Sequence, residues 1–559
     1  MNVFDLRSSL IQDYSSYISS FIRIRDPKIK DYVDQSIDQG LLWPDPLIQL
    51  NPTFEPGKWI DDLSNDGVLN KECKRIFRRK QAPDDFGQPL RLHKHQEDAI
   101  RTAREGQNYI LTTGTGSGKS LAYIIPIVDY VLRNGSGKGI QAIIVYPMNA
   151  LANSQKGELE KFLKFGYPDG NGPVTFERYT GQENDQEKNR IMSNPPDILL
   201  TNYVMLELIL TRPEERKTLV NAAQGLRFLV LDELHTYRGR QGADVSMLVR
   251  RVREALHANH LQCIGTSATL AGAGSLEQQR VEVASVASIL FGDTVHDESV
   301  IGETLRRATK ENLLTDELFI DELKSSIQNL NLPDTYDDFI RHPLASWVES
   351  RLGLRTDNDS GRLVRALPKS LTGNDGAGYE LSVLTGLPEE ICVHALQAIL
   401  LKGYSIANPE TNFPAFAFRL HQFISRGDTV YASVEAEADR HITVYGQKFV
   451  PGERDKLLLP LAFCRECGQE YYVVRRTRDH ESGSDLFLPR ELNENRDSDG
   501  GEPGFLYLNQ DNPWPEDNYD AIDRLPDDWL EESNGELAIK KSQRKNLPEV
   551  VRISPDGKK

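Results

Sequence analysis

Apolar positions along this chain follow two periods, and the change between them marks out its parts. Across residues 81–292, five short apolar runs at 109–112, 142–146, 198–201, 228–231 and 263–266 alternate with longer stretches at helical spacing. Runs this short and unbroken suit strands covered on both faces, and strands separated by helices build a parallel sheet. The pattern predicts one α/β domain over 81–292, with its chemistry at the carboxyl ends of the strands. Residues 1–80 read as a helical region, broken at Trp43-Pro44-Asp45-Pro46. Residues 293–375 read as a charged helical connector. Residues 376–435 predict a winged-helix-like module: a helix over 379–387, a second from Pro388 through Leu401 ended by Gly403, then a strand over 415–420. Residues 436–480 are strand-rich. Residues 481–559 are acidic and rich in Asn, Gly and Pro, yet Trp514, Trp529 and Phe505-Leu506-Tyr507 predict partial order.

The first run ends in Thr113-Gly114-Thr115-Gly116-Ser117-Gly118-Lys119-Ser120. Glycines there let the backbone turn tightly and aim its N–H groups at phosphate oxygens, and the following helix adds its positive end. Lys119 is placed for the β- and γ-phosphates of ATP, and the Ser120 hydroxyl for Mg2+. The strict pattern asks for glycine where Thr113 stands. The run at 228–231 ends in Asp232-Glu233-Leu234-His235. Asp232 is placed to hold Mg2+ through water, and Glu233 to orient and deprotonate an attacking water.

These two segments, followed by Thr266-Ser267-Ala268-Thr269, resemble in order and spacing the first RecA-like domain of superfamily 2 DEAD/DEAH-box helicases. The resemblance covers about residues 90–310. It implies that Gln96, in Leu92-His93-Lys94-His95-Gln96, reads the adenine edge. It implies nucleic-acid contacts from Pro147 and Asn149, from Thr180 and Gly181, and from Thr201 and Asn202. His235, Ser267 and Thr269 would couple nucleotide state to strand movement. His235 where most RNA unwinding proteins carry Asp favours DNA. Thr236-Tyr237-Arg238-Gly239-Arg240-Gln241-Gly242 is similar to the loop after this motif in the MrfA-like mitomycin-repair group, with Arg238 and Arg240 as phosphate contacts. Residues 42–52 and 463–471 resemble large bacterial helicases of the same group, some from Druantia-type anti-phage defence systems. An ATP-dependent DNA helicase or translocase is therefore expected, with other proteins of a defence system as further partners. An ATP-switched nucleic-acid sensor or scaffold, and an RNA helicase, remain open.

Composition narrows the rest. The net charge of −17 excludes a binder held on nucleic acid by its global field, though not by local patches. Residues 481–559 hold 19 acidic and 10 basic residues, about half of the imbalance. Five cysteines and no signal-like or membrane-spanning run point to a reducing cytoplasm and no membrane partner. Cys464 and Cys467 have metal-ligand spacing, but one such pair is half a zinc site, and two free thiols are the expectation. No Gln-x-x-Gly-Arg-x-Gly-Arg segment follows Thr269; the nearest, Phe423-Ile424-Ser425-Arg426-Gly427-Asp428, lacks the paired arginines. The expectation is an N-terminal motor half, with a second RecA-like domain after residue 559 and poor hydrolysis by this segment alone.

Overall fold

The central apolar runs are strands of one parallel sheet in the computed structural model, which describes residues 2–559 apart from 22, 115, 238, 269–274, 312–315, 358, 411–412, 426–428, 479–482, 493–500, 509–512, 518–519 and 534–535. The strands are β1 (Tyr109–Thr112), β2 (Ala142–Tyr146), β3 (Phe176–Arg178), β4 (Ile198–Asn202), β5 (Phe228–Leu231), β6 (Gln262–Ser267) and β7 (Val300–Gly302). Their order is β7-β1-β6-β5-β2-β4-β3, parallel throughout. Every residue of β1, β2, β5 and β6 is buried. Their runs do not alternate with polar residues because successive side chains feed two cores. Leu111, Ile144, Val230 and Ile264 enter one; Ile110, Ile143, Val145 and Leu229 enter the other. Each such side chain contributes about 1.5–3 kcal/mol by leaving water. The edge strands β3 and β7 are only three residues each, too short for a readable period, and β7 carries the sheet past residue 292.

The chain divides into two units. One comprises Gln49–Lys369 and Glu380–Arg419 and contains this sheet. It also contains α1 (Lys94–Arg104), α2 (Lys119–Asn134), α3 (Asn149–Leu163), α4 (Tyr203–Thr211), α5 (Gly239–Ala255) and α6 (Leu276–Phe291). Beyond them come α7 (Glu317–Asn329), α8 (Pro343–Val348) and α9 (Glu389–Ser405). α9 packs on α7 and α8, so helices expected in a connector and in a separate module share one core. Gly403 does not end α9. Phe339 and Phe416 stack edge-to-face with centroids 4.8 Å apart, and a Cβ on Gly403 would come within 2.6 Å of Phe339. Its glycine serves close approach of two rings, and the helix runs on to Ser405.

The other unit comprises Met1–Ile48, Ser370–Tyr379 and Leu420–Lys559. Its antiparallel sheet includes Glu453–Phe463, Glu470–Arg478, Asp485–Pro489 and Glu502–Leu506. Strands thus extend into the acidic stretch. Helix Pro27–Asp38 places Ile29 and Val33 in the core with Tyr472, Val474 and Phe487. Arg440, with no exposed side-chain surface, bridges Asp26 and Glu470 at 3.2 and 3.4 Å. The stretch expected to be helical over 1–80 contains strands as well, at Leu47–Asn51 and Pro56–Trp59, where Pro52 and Pro56 break any helical period. Among the described residues, no single helix is long and apolar enough to cross a membrane.

One buried acid ties the entrances of three sheet strands together. Asp197, just before β4, is fully buried. It accepts from Ser136 Oγ (2.6 Å), Gly137 N (2.9 Å), Thr175 N (2.9 Å) and Thr175 Oγ1 (2.8 Å). Asp197→Ala orphans these donors and should lower unfolding stability by about 3 kcal/mol, read by urea denaturation. A change below about 0.5 kcal/mol would show that water replaces the carboxylate.

Candidate nucleotide site and nucleic-acid face

The loop between β1 and α2 is held from both sides. Gly116 and Gly118 sit at φ of 85° and 69°, the left-handed region that favours glycine. Thr113 donates its backbone N–H to Ser267 O at 3.2 Å, and its hydroxyl lies 2.7 Å from Ser117 Oγ. The threonine that departs from the glycine pattern therefore braces the loop across its width. Gln96 is 3% exposed. Its Oε1 accepts the His93 N–H at 2.8 Å and its Nε2 donates to Gly118 O at 2.9 Å. The His95 imidazole is held below its usual pKa by burial and donates Nε2–H to Ser117 O at 2.9 Å. Thr115 lies outside the described residues.

The acidic pair at the end of β5 faces this loop. Lys119 Nζ lies 3.3 Å from Glu233 Oε1. Burial raises the Asp232 carboxyl pKa, and the neighbouring Glu233 adds to the rise; the Thr266 hydroxyl and the Lys119 charge oppose it. Thr266 Oγ1 donates to Asp232 Oδ1 and accepts the Glu233 backbone N–H at 3.0 Å. Glu233 has φ 52°, uncommon for a residue with a Cβ, a conformation that costs about 1–3 kcal/mol and concentrates at functional positions. Its Oε2 is buried without a hydrogen-bond partner, 3.4 Å from His235 Nδ1. The sequence offered no reason to single out Thr266, although it opens the quoted Thr266-Ser267-Ala268-Thr269 segment. Thr269 lies outside the described residues, while Ser267 ends β6 and reaches the loop through its carbonyl.

A polar patch forms at the carboxyl ends of β2 and β4, next to the end of β3. Asn202 caps α4 by accepting the Met205 N–H at 2.7 Å, and donates Nδ2 to Asn149 Oδ1 at 2.7 Å and to Thr180 O at 3.1 Å. Thr201 donates its hydroxyl to Tyr179 O at 2.7 Å. Pro147 sits half-buried just after β2. The organiser of the 179–183 turn is Glu183, which the sequence contained but did not distinguish. It accepts from the N–H groups of Thr180 and Gly181, each at 2.9 Å, and from Arg178 Nε at 2.8 Å. Burial pushes its pKa up, but these N–H bonds and the Arg178 charge prevail and hold it below the usual carboxylate range. Thr180, Gly181, Asn149 and Asn202 are thus brought together. Arg240 stands apart and exposed on the first turn of α5, and Arg238 lies outside the described residues.

Cys464 and Cys467 share a turn in which Gly468 N–H donates to Cys464 O at 2.9 Å. Hydrogen bonds from the Cys467 and Glu466 backbone lower the Cys464 thiol pKa. Among the described residues, neither cysteine belongs to a cluster of three or more ligand-type side chains.

Residues 93–276 match the family model for DEAD/DEAH box helicases. This stretch is a DEAD/DEAH box helicase domain. With β7, which lies beyond it, it forms the seven-stranded parallel sheet with flanking helices of the RecA-like α/β arrangement. The chain is 25% identical over 387 residues to Druantia protein DruE of Escherichia coli (strain UMEA 4076-1), an alignment covering 49% of this chain and 21% of that protein. It is 32% identical over 185 residues to ATP-dependent helicase HRQ1 of Saccharomyces cerevisiae, covering 32% and 16%. Among solved structures, DUF1998 helicase MrfA bound to DNA is 21% identical with a TM-score of 0.35, covering 45% of this chain and 29% of that one. The chain spans 21% and 29% of its first two curated relatives.

The Asp232 environment gives a pH prediction. A carboxylate binds a divalent cation only when ionised, so if Asp232 holds the Mg2+ of a Mg-nucleotide, binding falls as pH drops through the Asp232 pKa. Thr266→Val removes the hydrogen bond that opposes the rise, so the acid-side loss of Mg-ADP affinity should begin at higher pH than in wild type. Superimposable pH profiles would take Thr266 out of this role.

Proposed function

We propose that this chain carries the ATP-binding and nucleic-acid-engaging part of an ATP-dependent DNA helicase or translocase. The observation that carries this reading is the Lys119–Glu233 contact at 3.3 Å, with Asp232 beside it, at the mouth of a glycine loop whose first N–H is bonded to Ser267. Lys119 and Glu233 neutralise each other. Triphosphate oxygens would compete for Lys119 and leave Glu233 as an acceptor for water, with its second oxygen already desolvated beside His235. The Asp232 carboxylate next to that buried Glu233 oxygen, with the Ser120 hydroxyl in the first turn of α2, offers hard oxygens that suit Mg2+. When bound, the ion supplies neutralisation of phosphate charge.

The Thr113–Ser267 bond offers a route from phosphate to nucleic acid, because it joins the loop to the end of β6 in the central sheet. Asn149, Thr180, Gly181 and Asn202 form an uncharged polar patch, its turn shaped by Glu183, and a sugar-phosphate backbone lying on it is the reading this supports. His235 favours DNA over RNA. A part in anti-phage defence or DNA repair is the finer reading, supported by the similarity to Druantia protein DruE over half the chain.

Glu233→Gln should keep ATP affinity within about twofold and lower turnover by about a hundredfold or more. Surviving turnover would displace Glu233 as the base. In the full-length protein, DNA should stimulate hydrolysis more than RNA, and ATP should drive strand displacement or directional movement. Stimulation by DNA without either motion would leave a nucleotide-switched clamp in place of a motor.

A further inference from the structure

The phosphate loop has neighbours that the nucleotide chemistry above does not use. Glu303 follows β7, whose Gly302 lies opposite Thr112 of β1, so its carboxylate runs alongside the start of the loop. Glu303 Oε2 accepts the Gly114 backbone N–H at 3.1 Å. The same carboxylate holds Arg365, with Nε to Oε1 at 2.6 Å and Nη2 to Oε2 at 2.9 Å. This is a two-pronged ion pair with 16–17% of each side chain exposed, the strong class of charge-assisted contact. Arg365 ends β9 (Leu363–Arg365), which pairs antiparallel with β8 (Leu354–Thr356). Its Nη1 donates to Asn51 Oδ1 at 3.2 Å, and its guanidinium carbon lies 5.6 Å from the centre of the Phe54 ring.

Gly114 is where this assembly meets the loop. A Cβ there would come within 2.6–2.8 Å of three guanidinium atoms of Arg365, so only glycine admits the contact. The direction matters. The Cβ position of Gly114 is filled by Arg365 while its N–H is taken by Glu303, so the pair grips the loop backbone itself. Gln96 and His95 grip the Ser117–Gly118 end. A loop with glycine at 114, 116 and 118 has much conformational freedom to lose on closing round a phosphate.

We propose that the Glu303–Arg365 pair clamps the phosphate loop in its phosphate-accepting shape, so that the β8–β9 hairpin, outside the matched helicase segment, sets nucleotide affinity. This rests on the loop being the ATP site. Glu303 and Arg365 are positioning residues that act through Gly114. Releasing the clamp leaves the accepting shape as a minor population. If that population is about one-tenth, affinity falls about tenfold, and it falls equally for any nucleotide that uses the loop.

The test is equilibrium binding of fluorescent ATP and ADP analogues to wild type, Arg365→Ala, Arg365→Lys and Glu303→Gln, with thermal unfolding measured on each. Arg365→Ala should weaken ATP and ADP together by about tenfold, with Glu303→Gln moving the same way. Arg365→Lys should recover only part, because an ammonium cannot form the two-pronged contact. If Arg365→Ala does not fold, Glu303→Gln carries the test, since it keeps the side-chain shape and removes the charge. Unchanged affinity overturns the clamp. Tighter binding overturns it too, and would make the pair a restraint against nucleotide. Loss confined to ATP overturns it in favour of direct contact with the terminal phosphate. Wild-type protein that binds neither nucleotide overturns the ATP-site reading itself, a result separable from all of these.

Discussion

Burial of the central strands on both faces is the constraint from which the site follows. β1, β2, β5 and β6 have no solvent face, so helices must cover both sides and the connections must run in one direction. Every chain segment leaving a strand then emerges at the same edge. The glycine loop, the acidic pair, the Ser267 carbonyl and the Asn149–Asn202 patch are neighbours for that reason, although they span more than 150 residues of sequence. Little other machinery is needed to assemble a phosphate cradle beside a polar face.

At both edges of the sheet, electrostatics is resolved locally. Each buried acid is given a partner suited to its task. Asp197 is surrounded by N–H and O–H donors and serves the fold. Glu183 is held ionised by two backbone N–H groups and Arg178 and shapes a turn. Asp232, by contrast, has burial and a neighbouring carboxylate working against its charge. An incoming cation relieves that strain, and groups poised in this way cluster at functional sites.

The central sheet was legible because a period-free apolar run is a direct imprint of two-sided burial. β1, β2 and β5 fall on the runs that predicted them, whereas β3 and β7, three residues each, are too short to leave such an imprint. The segments at 113–120 and 232–235 stood out because phosphate binding asks for particular residues at fixed local spacing, and the structure brings the two together through Lys119 and Glu233. Thr266, Glu183, Glu303 and Arg365 were not, because each acts through a partner distant in sequence or through backbone atoms that any residue could supply. The grouping of α7, α8 and α9 was hidden for a related reason. Gly403 looks like a helix stop from its neighbours in sequence, and only the rings of Phe339 and Phe416 reveal its purpose.

Gln96 shows what such hidden wiring implies. A primary amide offers two N–H donors and an oxygen with two lone pairs. Its Nε2 donates to Gly118 O and lies 3.5 Å from Ser117 O, and one lone pair of its oxygen is committed to His93, which caps α1. What is left over is one lone pair of the oxygen, able to accept from an amino group such as adenine's N6–H, where guanine presents an acceptor. Any base edge that engages this amide must tug on the same atom group that tethers the loop and the helix start. If this amide reads the base, then choice of base and tension in the phosphate cradle become a single mechanical variable, set by one side chain.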